Sequence, residues 1–204
     1  MMGTTHRTGS LAISSAMVAC LPLLNLSSPD FVWLPTSKNV FMAAGFIFLA
    51  LFGGILPDAD TPQSTIGRRY RIVLFPLYGI RKLISFLGNF FKPFAKISKA
   101  LGHRGLFHSP LIWTVIFAIL RFFTYSAGDF IACLCSGLYF GILSHILLDY
   151  ISGGVPLLAP FTMKRYKPPF KLKTGGMLEF FINLLFLAVS VSMLIFYAQS
   201  FFSK

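Results

Sequence analysis

The spacing of the apolar runs constrains this chain most. Residues 9–26, 39–56, 109–126, 129–151 and 177–202 form five stretches that carry few charges and approach or exceed membrane-spanning length. A bilayer core takes about 20 apolar residues per α-helix. Inside it, only helices and closed barrels satisfy every backbone donor and acceptor. The sequence therefore predicts an all-α membrane protein, with residues 1–204 forming one domain built on a bundle of about five transmembrane helices. Only 12% of residues are charged, against about 25% in a soluble domain. A formal net charge of +12 would suggest nucleic acid in a soluble chain. Here the basic residues are expected in loops facing anionic lipid, with no nucleic-acid partner. The first run could be read as a signal peptide, and Met17-Val18-Ala19-Cys20 faintly resembles a lipoprotein cleavage site. Its flank carries only Arg7 and Met17 fits that box poorly, so it is read as a span. Cys20, Cys133 and Cys135 all lie in apolar runs and read as small buried hydrophobes, with neither a disulfide nor a zinc spacing.

Between the second and third runs lies the longest stretch outside the spans. From residue 80 onward, Ile80, Leu83, Ile84, Leu87, Phe90, Phe91 and Phe94 recur at helical spacing, opposite Arg81, Lys92, Lys96 and Lys99. That pattern predicts a basic amphipathic helix over 80–101, kinked at Pro93 and lying on the membrane surface or packed on the bundle. Residues 27–38, with two prolines and Trp33, read as an interfacial loop.

Lysine and arginine set the orientation. Arg68, Arg69, Arg71, Arg81, Lys82, Lys92, Lys96, Lys99 and Arg104 fall between runs two and three. Lys164, Arg165, Lys167, Lys171 and Lys173 fall between runs four and five, and Arg7 precedes run one. With five spans these segments share one side, leaving Lys38 and Lys204 on the other. The basic side is expected in the cytoplasm, with the N-terminus inside.

The histidines and acids follow the same division. His6, Asp58, Asp60, His103, His108, His145, Asp149 and Glu179 all fall at or near the cytoplasmic ends of spans. Asp30 and Asp129, the remaining acids, fall in the external loops. Because the orientation rests on Lys and Arg alone, this agreement is independent of it. His103 and His108 sit in Gly102-His103-Arg104-Gly105-Leu106-Phe107-His108-Ser109-Pro110, where Ser109 fits a helix N-cap and Pro110 the first turn. His145 and Asp149 stand at i and i+4, on one helix face. Each residue alone has an ordinary structural use. Together, four imidazoles and four carboxylates make the ligand set of a zinc, manganese or iron site, and carboxylates gathered at one level need cations between them.

Leu56-Pro57-Asp58-Ala59-Asp60, the doubled-histidine turn and Ser144-His145-Ile146-Leu147-Leu148-Asp149 occur in this order, followed by Gly154-Val155-Pro156-Leu157-Leu158. This series resembles the YdjM-type family of bacterial inner-membrane metal-dependent hydrolases, over nearly the whole chain. By more distant similarity such proteins are grouped with zinc-dependent phospholipase C. The resemblance implies two or more divalent ions, zinc foremost, held by His6, Asp58, His103, His108, His145, Asp149 and Glu179, to which the residue pattern adds Asp60. It also implies cleavage of a phosphate ester on a lipid or lipid-linked substrate. Thr61 stands where the family often has histidine, Phe107 where it often has threonine, and Ala159 where an aromatic is common. The first change removes a possible ligand.

On this reading Asp58 or Asp60 is the general base for a metal-activated water, and Arg104, with Arg68 or Arg69 as helpers, holds the phosphate. A phosphohistidine lipid phosphatase is disfavoured, because Tyr139 stands where its arginine belongs. A helical zinc protease is disfavoured because the chain has no His-Glu-x-x-His. A metal or proton transporter tends to place ionisable groups near the midplane. A non-catalytic scaffold would need the ligands but no open coordination position. The topology is directly testable: reporters at the N-terminus and near Lys92 and Lys167 should all be cytoplasmic, and one near Lys38 periplasmic. Placement of the Lys92 and Lys167 segments on opposite faces would make a shared site impossible.

Overall fold

The computed structural model describes residues 3–24, 39–102, 104–169 and 174–202. Its helices are α1 (Gly3–Cys20), α2 (Val40–Gly53), α3 (Thr65–Arg69), α4 (Arg71–Gly88), α5 (Lys92–Ala100), α6 (Pro110–Phe123), α7 (Asp129–Gly153) and α8 (Met177–Gln199). No strand occurs among the described residues, and Val155 and Tyr166 form an isolated antiparallel bridge that closes the loop after α7. The chain is all-helical, as the apolar runs predict.

Three segments are long and apolar enough to cross a bilayer: Val40–Asp60, Asp129–Gly153 and Met177–Gln199. The other two expected spans are shorter or more polar. Helix α6 is apolar but has only 14 residues, about 21 Å at 1.5 Å per residue. Helix α1 starts at Gly3, ahead of the predicted 9–26, and so carries His6 inside the helix. Its polar first turns are stable there because they find partners. Thr5 Oγ1 donates to Glu179 Oε1 at 2.6 Å, and Thr8 Oγ1 donates to Asn183 Oδ1 at 2.6 Å, both on α8. Farther along, Ser10, Ser14 and Ser15 donate to carbonyls of their own helix. Satisfied hydroxyls bury cheaply, so α1 sits inside despite its composition.

Helix α7 is the centre of the bundle. It packs against α2, α1 and α6, while α8 leans on α1. The α2–α7 crossing is close because glycines line it. A Cβ on Gly137 or Gly141 would overlap the backbone of Phe46 or Ala50, and one on Gly53 would overlap the Leu138 carbonyl. Small residues four apart let two membrane helices approach until their backbones touch. Toward one end, Val18, Ala43, Phe46 and Cys133 fill the space between α1, α2 and α7. Cys133 is buried as expected, but Cys20 is exposed. It is the last residue of α1, beyond the packed part of the helix.

The amphipathic element differs from the single kinked helix expected over 80–101. It is two helices, α4 and α5, folded against each other. The break falls at Asn89–Phe91, and Pro93 lies in the first turn of α5. Proline has no N–H to donate and its ring displaces the preceding backbone, so a helix restarts at Pro93 more readily than it runs through it. Helix α4 also begins nine residues earlier than predicted and keeps Pro76 inside. Neither helix buries a residue, and Ile72, Val73, Phe75, Phe86 and Phe90 are all exposed.

The α2–α7 crossing should be sensitive to any side chain at its glycines. Gly141→Leu is expected to lower the melting temperature of the detergent-solubilised protein, at a cost of about 2 kcal/mol from overpacking. The same substitution at Gly79, where nothing lies within 4 Å of an added Cβ, should have little effect.

Candidate metal centre

Four elements converge at one end of the bundle: the start of α1, the end of α2, the turn before α6, and the end of α7. Each supplies side chains for a local reason. After α2 the chain tightens into a short 3-10 turn, Leu56–Asp60, with Pro57 in its first positions. The carbonyls of that turn are held from outside: Asp58 by Ser64 Oγ at 2.7 Å, Ala59 by Tyr78 Oη at 3.0 Å, and Asp60 by the Arg81 guanidinium.

The doubled-histidine turn is equally braced. His108 N–H donates to Gly105 O at 3.0 Å, and Trp113 Nε1 donates to Phe107 O at 2.8 Å. Ser109 caps α6 and Pro110 opens it, as the sequence predicts. Ser109 Oγ also donates to the Ala159 carbonyl at 2.9 Å, tying the turn to the loop after α7. Arg104 has φ 57°, the left-handed region that side chains other than glycine visit at a cost of about 1 kcal/mol.

Within the centre, Asp149 is the hub. Its Oδ1 lies 3.6 Å from His6 Nε2 and 2.9 Å from the Arg104 guanidinium. Its Oδ2 lies 3.2 Å from His108 Nε2 and 3.7 Å from His145 Nε2. Asp58 Oδ1 lies 3.7 Å from both His108 Nε2 and His145 Nε2. The His6 and His145 rings stack at 3.8 Å, and the His108 ring meets His145 edge-on. His6, His108, His145, Asp60 and Asp149 are all buried, while Asp58 keeps 22% of its side chain exposed.

Two overlapping triads have ligand atoms within 4.8 Å of one another: His6, His145 and Asp149, and Asp58, His108 and His145. His145 belongs to both. Its Nδ1 donates to the Gly54 carbonyl at 2.8 Å, which leaves the Nε2 lone pair facing the carboxylates. A backbone carbonyl behind the ring is the usual way a protein fixes a metal-binding imidazole. One lone pair serves one ion, so the two triads cannot both be filled at once.

The donor set suits a divalent cation. Among the described residues, His145 Nε2 and His6 Nδ1 are buried without a hydrogen-bond partner. Unpaired buried polar atoms are costly and uncommon. Without a metal, positive charge comes from the protein. Arg104 lies on Asp149 Oδ1. Burial alone would lower the His108 pKa, but the carboxylates of Asp149, Asp58 and Asp60 around it raise it to about 9.

The remaining predicted residues are placed around this core. Asp60 faces the far side of His108, 3.7 Å from Nδ1, and accepts from Thr61 Oγ1 at 2.8 Å. It stands in neither triad and is positioned to orient the ring. Glu179 is buried at the start of α8, where Oε1 accepts from Thr5 and Oε2 from the Gly175 amide at 2.6 Å. It thus braces α1 beside His6, outside both triads. Arg68 and Arg69 are exposed at the end of α3. His103 lies outside the described residues.

Several contributors escaped the sequence reading. Ser152 Oγ lies 3.3 Å from both Arg104 and Asp149 Oδ1, and its position three residues after Asp149 could have marked it. Asn183, four after Glu179, donates to Thr5 Oγ1 at 3.0 Å. The Gly54 carbonyl left no side-chain signal at all.

The described members of this ordered series, Asp58, Asp60, His108, His145 and Asp149, thus form a single cluster in space. Residues 1–202 match the family described as YdjM inner membrane protein. The chain belongs to the YdjM family. Inner membrane protein YdjM of Escherichia coli (strain K12) is 34% identical over 148 residues, covering 71% of this chain and 64% of that protein. The protein of the same name from Shigella flexneri gives the same figures. Uncharacterized protein YvsG of Bacillus subtilis (strain 168) is 31% identical over 128 residues, covering 62% of this chain and 64% of the relative. The matches to these curated relatives thus span a little under two thirds of their lengths. No solved structure matches. The two YdjM relatives are named as inner membrane proteins, and this YdjM-family chain carries helices apolar enough to share that location.

The geometry predicts the order of importance among ligands. Purified protein incubated with zinc and desalted should retain metal, measured by plasma mass spectrometry. His145→Ala, which belongs to both triads, should lose more of it than His6→Ala. Asp149→Asn should also lower retention by about tenfold or more. Metal content that ignores all three substitutions would mean the cluster is a hydrogen-bonded core.

Proposed function

We propose that this YdjM-family protein is a membrane-bound, metal-dependent hydrolase of phosphate esters. It acts on a lipid or lipid-linked substrate at the cytoplasmic face. The observation that carries the reading is the convergence of buried His6, His108 and His145 with the Asp58 and Asp149 carboxylates, in two triads whose ligand atoms lie within 4.8 Å of one another. His6, Asp58, His108, His145 and Asp149 would hold the metal, with zinc the best match and manganese or iron as alternatives. When bound, a divalent ion polarises a phosphoryl oxygen and lowers the pKa of adjacent water. The kinship with phospholipase C implied by the sequence motifs fits this chemistry.

The protein's own groups divide the remaining work. Asp58 is the partly exposed carboxylate of the cluster, so it can meet a water arriving from outside and accept its proton. Asp60 is fully buried beside His108 and holds that ring in register. Arg104 is the natural clamp for the phosphate. Its guanidinium is planar and forked, matching two phosphoryl oxygens, and it already lies at the edge of the cluster with 19% of its side chain exposed. Gly153 leaves it room, since a Cβ there would overlap the guanidinium.

The transporter reading draws on one observation: buried serines run along α1 and α7 behind the cluster. Ser14, Ser15 and Ser136 donate to carbonyls of their own helices, and the Ser10 and Ser144 hydroxyls meet at 2.5 Å, one donating to the other and the other to a carbonyl of its own helix. These hydroxyls are spent on the fold.

Zinc-loaded full-length protein in detergent should turn over a member of a phosphomonoester and phosphodiester panel, and a chelator should stop it. Asp58→Asn should lower kcat by about 100-fold or more, the range for a general base. Arg104→Lys should act mainly on KM. Bound zinc without turnover of any phosphoester would favour the scaffold. Zinc or proton flux into proteoliposomes would favour the transporter.

A further inference from the structure

Beside the metal centre lies a second, unassigned concavity. A cleft of about 540 Å³ opens between the turn after α2 and one face of α4, lined by Thr61, Pro62, Gln63, Tyr78, Arg81, Lys82 and Ser85. The α4 residues stand at i, i+3, i+4 and i+7, so they form one stripe. Two of them are cationic, two carry hydroxyls, and no acidic side chain lines the cleft. Among the described residues the Lys82 ammonium has no acidic partner. Arg81 is fixed by its bond to the Asp60 carbonyl and Tyr78 by its bond to the Ala59 carbonyl. The wall is therefore anchored to the same turn that presents Asp58 and Asp60.

We infer that this cleft is a binding site for a phosphate-bearing anion, seated next to the metal centre and separate from it. A forked guanidinium, an ammonium and the Ser85 hydroxyl are donors of the kind that phosphate oxygens accept from. The inference deepens the hydrolase reading by naming where an anionic head group rests, and its binding test does not need turnover. The surroundings favour a lipid as the source. On the opposite side of α4, Ile72, Val73, Ile80 and Leu83 are exposed, in the manner of a helix lying in the headgroup layer with its apolar side toward the acyl chains. A phosphate at the Arg81–Lys82 stripe would then sit at the level of the lipid phosphates.

Full-length protein in phosphatidylcholine nanodiscs containing phosphatidic acid would be released into the gas phase and its retained lipids counted by native mass spectrometry. Wild type should hold phosphatidic acid in preference to phosphatidylcholine. Lys82→Gln and Ser85→Asp should each reduce that preference, Ser85→Asp by about tenfold, since it places a like charge in the cleft. Both residues are exposed, so neither change should disturb folding, whereas Arg81→Gln also removes a bond to the backbone. The triple variant Lys92→Gln, Lys96→Gln, Lys99→Gln on α5 is the control: it removes more basic charge outside the cleft and should leave the preference intact.

A parallel titration with inorganic phosphate separates the sources. Retention of phosphate that depends on Lys82, without a lipid preference, assigns the cleft to a free phosphate group. A preference that falls equally in the α5 variant, or that survives both cleft variants with no phosphate retained, overturns the site. Failure of the hydrolase reading looks different: no phosphoester is turned over, yet the Lys82-dependent retention persists.

Discussion

A carboxylate taken out of water has to be met by positive charge or hydrogen bonds, because the desolvation penalty of a bare charge exceeds what a fold can absorb. Asp149 is such a group, 2% exposed near the end of the central helix. Much of the architecture at that end answers to it. The start of α1 brings His6, and the turn before α6 brings His108 and Arg104. One turn earlier on α7 itself is His145. Helix α8 enters indirectly, since Glu179 holds Thr5 and thereby the first turn of α1. Four helix ends that could have splayed apart are gathered around one anion.

The α2–α7 crossing makes this gathering precise. Gly137 and Gly141 bring the two backbones together, and the Gly54 carbonyl then falls within 2.8 Å of His145 Nδ1. Packing and chemistry are linked here: the contact that builds the bundle also selects the imidazole nitrogen that faces the carboxylates. A looser crossing would leave the ring free to turn its other nitrogen inward.

The sequence carried the large features. Apolar runs located the long helices, and the level shared by histidines and acids picked out side chains that the fold brings together. Ser109, His145 and Asp149 stand as their spacing requires. What the sequence could not carry is of two kinds. Local rules misjudged segments whose stability comes from elsewhere: residues 3–8 are too polar to look like the start of a buried helix until Thr5 and Thr8 are paired, and Pro93 opens a helix rather than kinking one. Ligation roles were also out of reach. Asp60 and Glu179 share residue type and level with Asp58 and Asp149, but neighbours distant in sequence place them outside the triads.

Helix α6 has a consequence at the scale of the bilayer. At 14 residues it is about 21 Å long, some 9 Å less than the hydrocarbon thickness. A membrane meeting so short an element relieves the mismatch by thinning locally, at a fraction of a kcal/mol per Å. The helix begins two residues after His108, so if α6 crosses the bilayer, a dimple on that side would lower the lipid surface toward the cluster. Shortness in this one helix would then shape the bilayer itself, on the side where the histidines and carboxylates gather.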